Sequence, residues 1–327
     1  MRRRTFIRNS VLTLAALTAS RTAAGKSPDS TIKTASVADS VERDNRDNGP
    51  SSALIRRVIP ASGETIPVIG MGTWLTFDVG PEPKVLAQRA QVLKAFFTAG
   101  GGMIDSSPMY GRAEQVVGEL MARRGEQNGL FAATKIWSAL AATGPEQLRQ
   151  SLQRWGVAPL DVVHVHNLLR WKSHLNTLRA ARDNKLVRYI GVTTSHGRRH
   201  GELEKIMRTE ALDFVQFSYN IVDREAEKRL LPLAQDRGLA VVINRPFQTS
   251  GLFSRFAHLP LPDWSDEIGV KTWAEFFLKF IVSHPAVTCA IPATRQVAHM
   301  IENMRAGIGH LPDERQRQRM IGYVRSL

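Results

Sequence analysis

Three short stretches carry side chains able to hold and move protons. Met103-Ile104-Asp105-Ser106-Ser107 runs on to Tyr110-Gly111. Phe131-Ala132-Ala133-Thr134-Lys135-Ile136-Trp137 sets an ammonium inside an apolar run. Val162-Val163-His164-Val165-His166-Asn167 sets two imidazoles at alternate positions. Carboxylate, phenol, ammonium and imidazole are agents of general acid–base chemistry when they converge. Lys135 is the strongest single signal, because a buried charge without a partner is costly and Asp105 is the natural partner. His164 and His166 share a face, and His166, nearer the strand's end, is the better candidate. Taken singly, each residue also has an ordinary role: a structural salt bridge for Lys135, a loop aromatic for Tyr110, a hydrogen-bonded strand-end residue for His166. The conjunction decides.

The elements that must position them form a regular series. A small hairpin is predicted over 54–59 and 65–68, turning at Ala61-Ser62-Gly63-Glu64. Eight apolar β-type runs follow, at 69–73, 102–106, 131–136, 162–166, 189–193, 214–217, 240–244 and 288–291. Amphipathic helical patterns alternate with them, at 83–99, 112–124, 145–155, 172–184, 202–208, 225–237, 272–283 and 296–306. Continuous apolar strands are what a parallel sheet covered on both faces requires. Eight βα units over about 250 residues are the arithmetic of a closed (β/α)8 TIM barrel. An open doubly wound sheet is the rival, but Gly70-Met71-Gly72 runs into Thr73-Trp74-Leu75 without the third glycine of a dinucleotide fingerprint. In a barrel, active sites sit at the carboxyl ends of the strands, which is where Asp105, Lys135 and His166 fall.

With these residues in order, the chain resembles the aldo-keto reductases. Asp105-Ser106-Ser107-Pro108-Met109-Tyr110-Gly111 is similar to the family's Asp-(Thr/Ser)-(Ala/Ser)-x-x-Tyr-Gly, Thr134-Lys135 to its Thr-Lys strand, and Asp161 to His166 to its Asp-x-x-x-x-His. Gly191-Val192-Thr193-Thr194 stands where the family has Gly-Val-Ser-Asn, Gln216 at its strand-six glutamine, and Ile291-Pro292 with Glu302-Asn303 at its adenine-side segment. The resemblance runs from about residue 55 to 306. It implies reduction of an aldehyde or ketone by a reduced nicotinamide, with Tyr110 as proton donor, Lys135 lowering its pKa, Asp105 pairing Lys135 and His166 orienting the carbonyl. It further implies that Thr193, Thr194 and Gln216 hold the nicotinamide carboxamide and that Thr73 and Trp74, with Trp137, line the pocket. Three positions depart from the family. Thr193-Thr194 replaces Ser-Asn, Asn244-Arg245 replaces a stacking tyrosine after strand seven, and Ala293 replaces the lysine that binds the 2′-phosphate. Arg295 and His299 are the cations left to bind that phosphate, which favours NADP over NAD modestly. Substrate specificity is expected in segments 75–83, 167–173, 248–269 and 307–327, with Phe77, Trp171, Phe253, Phe256 and Trp264 forming an apolar wall. The same residue set is compatible with oxidation of an alcohol or sugar, or with an exported barrel that binds a nucleotide or small molecule and turns over little.

The amino terminus reads as an address. Arg3-Arg4-Thr5-Phe6-Ile7-Arg8 resembles a twin-arginine export motif. A short apolar stretch and small residues follow, so residues 1–24 are expected to be a cleaved twin-arginine (Tat) signal peptide, with Thr22 and Ala24 before the cut. Segment 25–52 is polar and reads as a flexible tether, leaving 53–327 as the barrel. The expected destination is the periplasm, reached by the Tat export machinery. The 327 residues are 43% hydrophobic, the balance of a globular protein. Cys289 is the only cysteine, which excludes an intrachain disulfide and four-cysteine metal sites, and no metal is expected. The formal net charge of +14 falls to +9 without Arg2, Arg3, Arg4, Arg8 and Arg21. The remainder is scattered or sits in runs, such as Arg198-Arg199-His200 and Arg315 to Arg319, that read as solvated helix faces. No nucleic-acid module or stable membrane span is expected, and the sequence leaves the oligomeric state open.

Overall fold

The computed structural model describes residues 53–125 and 129–327. The signal-peptide and tether segments read from the sequence, 1–24 and 25–52, lie outside the described residues.

A two-stranded antiparallel hairpin opens the described chain, β1 (Arg56–Val58) against β2 (Thr65–Pro67). Eight parallel strands then alternate with helices: β3 (Met71–Gly72), α1 (Pro83–Thr98), β4 (Met103–Asp105), α2 (Ala113–Arg124), β5 (Phe131–Ile136), α3 (Gly144–Trp155), β6 (Leu160–Val165), α4 (Trp171–Asp183), β7 (Val187–Thr193), α5 (His200–Thr209), β8 (Phe214–Ser218), α6 (Leu230–Asp236), β9 (Ala240–Asn244), α7 (Gly251–Phe256), α8 (Trp273–Val282), β10 (Cys289–Ala290), α9 (Val297–Arg305) and α10 (Glu314–Ser326). Each strand pairs with the next in sequence from β3 to β10, all in parallel. Bridges Ile69↔Ala290 and Gly72↔Ala293 join the first strand region to the last and close the cylinder. The expected (β/α)8 barrel is therefore the observed one.

The glycines of Gly70-Met71-Gly72 serve that closure. A Cβ on Gly70 would stand 2.9 Å from the Met103 carbonyl oxygen, and one on Gly72 would stand 2.9 Å from that of Ile291. They are short because the flanking backbones press in, and no nucleotide loop is involved. Apolar side chains alternate between two cores. One fills the barrel lumen, with Met103, Phe131, Val162, Tyr189, Phe214 and Val242 topped from below by Ile59 and Ile66 of the hairpin region. The other packs the outer faces of the strands against the helices.

Two expectations need correction. The helix predicted over 225–237 is a short 3-10 turn at Glu225–Lys228 and then α6, broken at Arg229. Pro232 explains the break, because its ring would collide with the Lys228 carbonyl in a continuous helix. The segment 307–327 contains α10, started by a capping box between Asp313 and Gln316. The run from Arg315 to Arg319 is not wholly solvated. Arg317 is buried and donates to the Phe280 carbonyl, to Ser283 Oγ at 2.8 Å and to the Tyr219 hydroxyl at 2.7 Å, with Glu227 at 3.2 Å. His200, at the end of the other basic run, is buried as well.

Candidate active site

Parallel pairing sets the catalytic candidates side by side. Asp105 ends β4 level with Ala133 of β5, and Lys135 of β5 lies level with His164 of β6. Lys135 Nζ donates to Asp105 Oδ2 at 2.6 Å and to the Ser106 carbonyl at 2.7 Å, with both side chains almost fully buried. Gln216 Nε2 donates to the other carboxylate oxygen of Asp105 at 3.0 Å. The carboxylate is thus gripped from two strands, and the ammonium beside it has a fixed position.

Tyr110 follows β4 in the turn before α2 and is partly buried against the core. Lys135 Nζ lies 5.0 Å from the centre of its ring, and the His166 ring meets it edge-on at 5.9 Å and 89°. Phenol, ammonium and imidazole therefore converge. Burial alone would depress the Lys135 pKa, but the Asp105 carboxylate, and then Tyr110, outweigh it and raise it, so Lys135 is charged. For Tyr110, burial pushes the pKa up and Lys135 pulls it down as expected, but burial together with the Asp105 charge more than offsets that pull, and the net shift is upward. Tyr110 is a firmly protonated phenol. His166 is held well below the usual imidazole range by burial, then by the charge of Lys135, then by His164, so the ring is neutral. His164 sits deeper, in the barrel interior, and burial takes its pKa down to about 3.

Asp105, Tyr110 and His166 border a cavity of about 260 Å³ at the carboxyl ends of the strands, and Lys135 and His164 lie buried behind them. The cavity wall includes Gly72, Thr73, Trp74, Asp105, Tyr110, His166, Thr193, Gln216, Asn244 and Arg245. Thr73 Oγ1 donates to the Asp105 carbonyl at 3.0 Å and hydrogen-bonds Ser106 Oγ at 2.9 Å, so its hydroxyl is spent on the frame. Thr193 Oγ1 donates to Gln216 Oε1 at 3.0 Å, and Asn244 Nδ2 donates to the Thr194 carbonyl at 2.9 Å. Asn244 thus joins the Thr193, Thr194 and Gln216 layer. Arg245 NH1 donates to His196 Nε2 at 3.0 Å.

A second cleft adjoins the first, sharing Phe247, Thr249 and Ala293 with it, and reaches Thr294, His299, Glu302 and Asn303. Arg295 lines neither. It is exposed and close enough to Arg89 to help lower that residue's pKa, after burial. The second cleft is lined instead by the Lys271 ammonium and the His299 imidazole. Lys271 was missed because nothing local marks it; a loop carries it there. Ser107, Met109, Ser195 and His196 were missed as well. Met109, Ser195 and His196 line the cavity, and Ser107 supports His166 from behind. The aromatic wall is corrected too. Phe77 and Phe256 are buried in the outer core, Trp264 packs on Phe276 and Tyr323, Trp171 packs on the outer core, and Trp137 is exposed outside the cavity. Of the five aromatics expected to form the wall, Phe253, on α7, alone lines a cleft, and Trp74, Leu75, Met109 and Phe247 supply the apolar wall.

The model of the aldo/keto reductase family matches residues 68–318. The chain is 25% identical to aldo-keto reductase YhdN of Bacillus subtilis over 193 residues, 54% of this chain and only 56% of that protein's length. It is 28% identical to pyridoxine 4-dehydrogenase of Escherichia coli over 245 residues, 68% of this chain and 82% of that protein. Among solved structures it is similar in fold to an aldo/keto reductase of Klebsiella pneumoniae in complex with NADP and acetate. That match has a TM-score of 0.69 and 23% identity, and covers 81% of this chain and 94% of the other.

Proposed function

The chain belongs to the aldo/keto reductase family, and we propose that it reduces an aldehyde or ketone to an alcohol, using NADPH ahead of NADH. One observation carries this: Asp105, Tyr110 and His166 line one cavity and Lys135 is buried against Asp105 and Tyr110, with the phenol protonated, the lysine charged and the imidazole neutral.

The residues fit the cofactor. Thr194 Oγ1 and Asn244 Oδ1 are buried beside Gln216 without a hydrogen-bond partner among the described residues. A nicotinamide carboxamide, which both donates and accepts, would satisfy such atoms. Thr193, Thr194, Gln216 and Asn244 would hold that end, and His299, Glu302, Asn303 and Lys271 the adenosine end. When bound, the dihydronicotinamide supplies a hydride to the carbonyl carbon. Negative charge then builds on the carbonyl oxygen, and Tyr110 gives that oxygen its proton. Lys135 stabilises the phenolate left behind, and Asp105 keeps Lys135 in place and balances its charge. His166 orients the carbonyl. The apolar wall of Trp74, Leu75, Met109 and Phe247 favours a substrate with an apolar body.

The amino-terminal Arg3-Arg4-Thr5-Phe6-Ile7-Arg8 supports export of the folded, loaded protein to the periplasm by the Tat machinery. Fractionation of cells producing the full chain and an Arg3→Lys/Arg4→Lys variant tests it: the variant stays in the cytoplasm, and equal export of both defeats the assignment.

The reductase assignment is tested by NADPH fluorescence titration followed by a carbonyl panel. Tyr110→Phe binds NADPH as the wild type does and loses about a hundred- to ten-thousand-fold in turnover, the worth of a general acid. Wild-type turnover in that variant refutes the role. Binding without oxidation across the panel would make the chain a nucleotide-binding barrel.

A further inference from the structure

His166 is neutral, and a neutral imidazole can carry its single proton on either nitrogen. Only the Nε2–H form can donate from Nε2 to a carbonyl oxygen. The other nitrogen is in view: Nδ1 lies 2.9 Å from Ser107 Oγ, and both residues are buried. Ser107 Oγ also accepts from the Met109 amide at 3.1 Å. A hydroxyl has one proton to give. Among the described residues Ser107 Oγ has no partner besides Met109 N and His166 Nδ1. If Nδ1 carried the proton, the serine would accept twice and its own hydrogen would be buried without an acceptor. If Nδ1 is bare, Ser107 donates to it, every group in the chain is paired, and the His166 proton must sit on Nε2.

We propose that Ser107 is a positioning residue that sets the tautomer of His166, so that Nε2–H faces the cavity as a hydrogen-bond donor to the substrate's carbonyl oxygen. The turn that makes this possible is local. Ser107 Oγ caps the Met109 amide two residues on, which fixes the hydroxyl's acceptor side and turns its proton toward β6. Asp105, Ser107 and Tyr110 are then one short segment with three tasks: anchoring the lysine, setting the imidazole's proton and donating to the substrate. The donor role of Nε2 rests on the reductase assignment above, but the tautomer is a property of the chain with nothing bound.

The test is heteronuclear NMR on ¹⁵N-histidine-labelled protein without ligand, with His166→Gln used only to identify the His166 signals. The wild type shows an unprotonated Nδ1 and a protonated Nε2. In Ser107→Ala the bare Nδ1 loses its donor, and signals of both tautomers appear. Ser107→Thr, which keeps the hydroxyl, restores the wild-type pattern. In kinetics, Ser107→Ala lowers kcat/KM for a carbonyl roughly tenfold, the worth of one hydrogen bond, and Kd for NADPH is unchanged. A protonated Nδ1 in the wild type overturns the proposal. So does a Ser107→Ala variant with both tautomer and kcat/KM unaltered. A wild type with the expected tautomer and no reduction of any carbonyl leaves the Ser107 assignment standing and sinks the reductase assignment instead.

Discussion

Removing the Lys135 ammonium is the most demanding perturbation of this site. In Lys135→Met the Asp105 carboxylate, 2% exposed, loses its 2.6 Å partner and, among the described residues, keeps the Gln216 donor alone on its other oxygen. The Ser106 carbonyl loses its 2.7 Å bond in the same step. Breaking a buried ion pair by deleting one partner costs about 3–5 kcal/mol, because the survivor is a buried charge without compensation. For a domain of this size each kcal/mol moves Tm by roughly 2–4 °C, so a fall on the order of 10 °C is expected. Asp105→Asn alone strands the ammonium and is also destabilising. The double variant Lys135→Met/Asp105→Asn holds neither charge, and its Tm should lie well above the value reached by adding the two single losses. Thermal unfolding followed by circular dichroism measures all four proteins, and carbonyl reduction is assayed alongside. Stability returns in the double variant and activity does not, since Tyr110 still lacks its cation. A Lys135→Met protein within about 1 °C of wild type, or single losses that simply add in the double, would refute the pairing argument.

Further predictions concern pH, the core and the cofactor. The Tyr110 pKa is raised, and the acid form is the donor, so reduction at saturating NADPH should hold level up to about pH 9 and fall only above the ordinary phenol range near 10. His166, held well below 6.5, contributes no titration around that pH; a profile governed by a midpoint near 7 contradicts both shifts. His164 has a native pKa of about 3, and neither ring nitrogen makes a hydrogen bond of ordinary geometry among the described residues, only a weaker approach to the Thr134 backbone. The unfolded chain takes up a proton there below about 6.5 while the native chain does not, so wild-type stability is lost as pH falls from that value toward 3. His164→Leu lacks this loss, and urea unfolding should show its advantage growing by about 2 kcal/mol between pH 6.5 and pH 5, whereas a constant gap argues against it. Arg317→Met removes the buried guanidinium that ties α10 to α8 and to Tyr219, and should lower stability by about 3–5 kcal/mol in denaturant unfolding; an unchanged midpoint would show those bonds to be idle. Thr194→Val deletes a hydroxyl without a partner among the described residues, proposed above to hold the carboxamide, so Kd for NADPH should rise roughly tenfold with Tm unchanged, and equal affinity removes Thr194 from the site.

The barrel was legible because its strands are buried on both faces, and such strands are unbroken apolar runs. β5 and β9 fall at the residues expected. Lys135 and Asp105 were legible for the complementary reason: a charge inside such a run demands a partner, and neighbouring strands offer few. The misses lie where backbone direction, rather than residue type, decides. Phe77 turned into the outer core just after the left-handed Leu75, and Phe256 did so on α7, which follows the left-handed Gln248 and Thr249; the types of these residues do not announce it. Arg317 lies in a run of polar and basic residues, and its burial follows from the acceptors that Phe280, Ser283 and Tyr219 present from distant elements. The sign of the Tyr110 shift was out of reach as well, since charge neighbours can be guessed from motifs but the depth of desolvation cannot.

The hairpin region gives the lumen a stopper. Ile59 and Ile66 close the lower end over Phe131, Tyr189 and Phe214, so an apolar plug separates Lys135 and His164 from bulk water on that side. In the proposed reaction each turnover takes a proton from Tyr110, and with the floor plugged its replacement comes down the same mouth that admits the substrate, so reprotonation of the phenol and release of the alcohol share one passage.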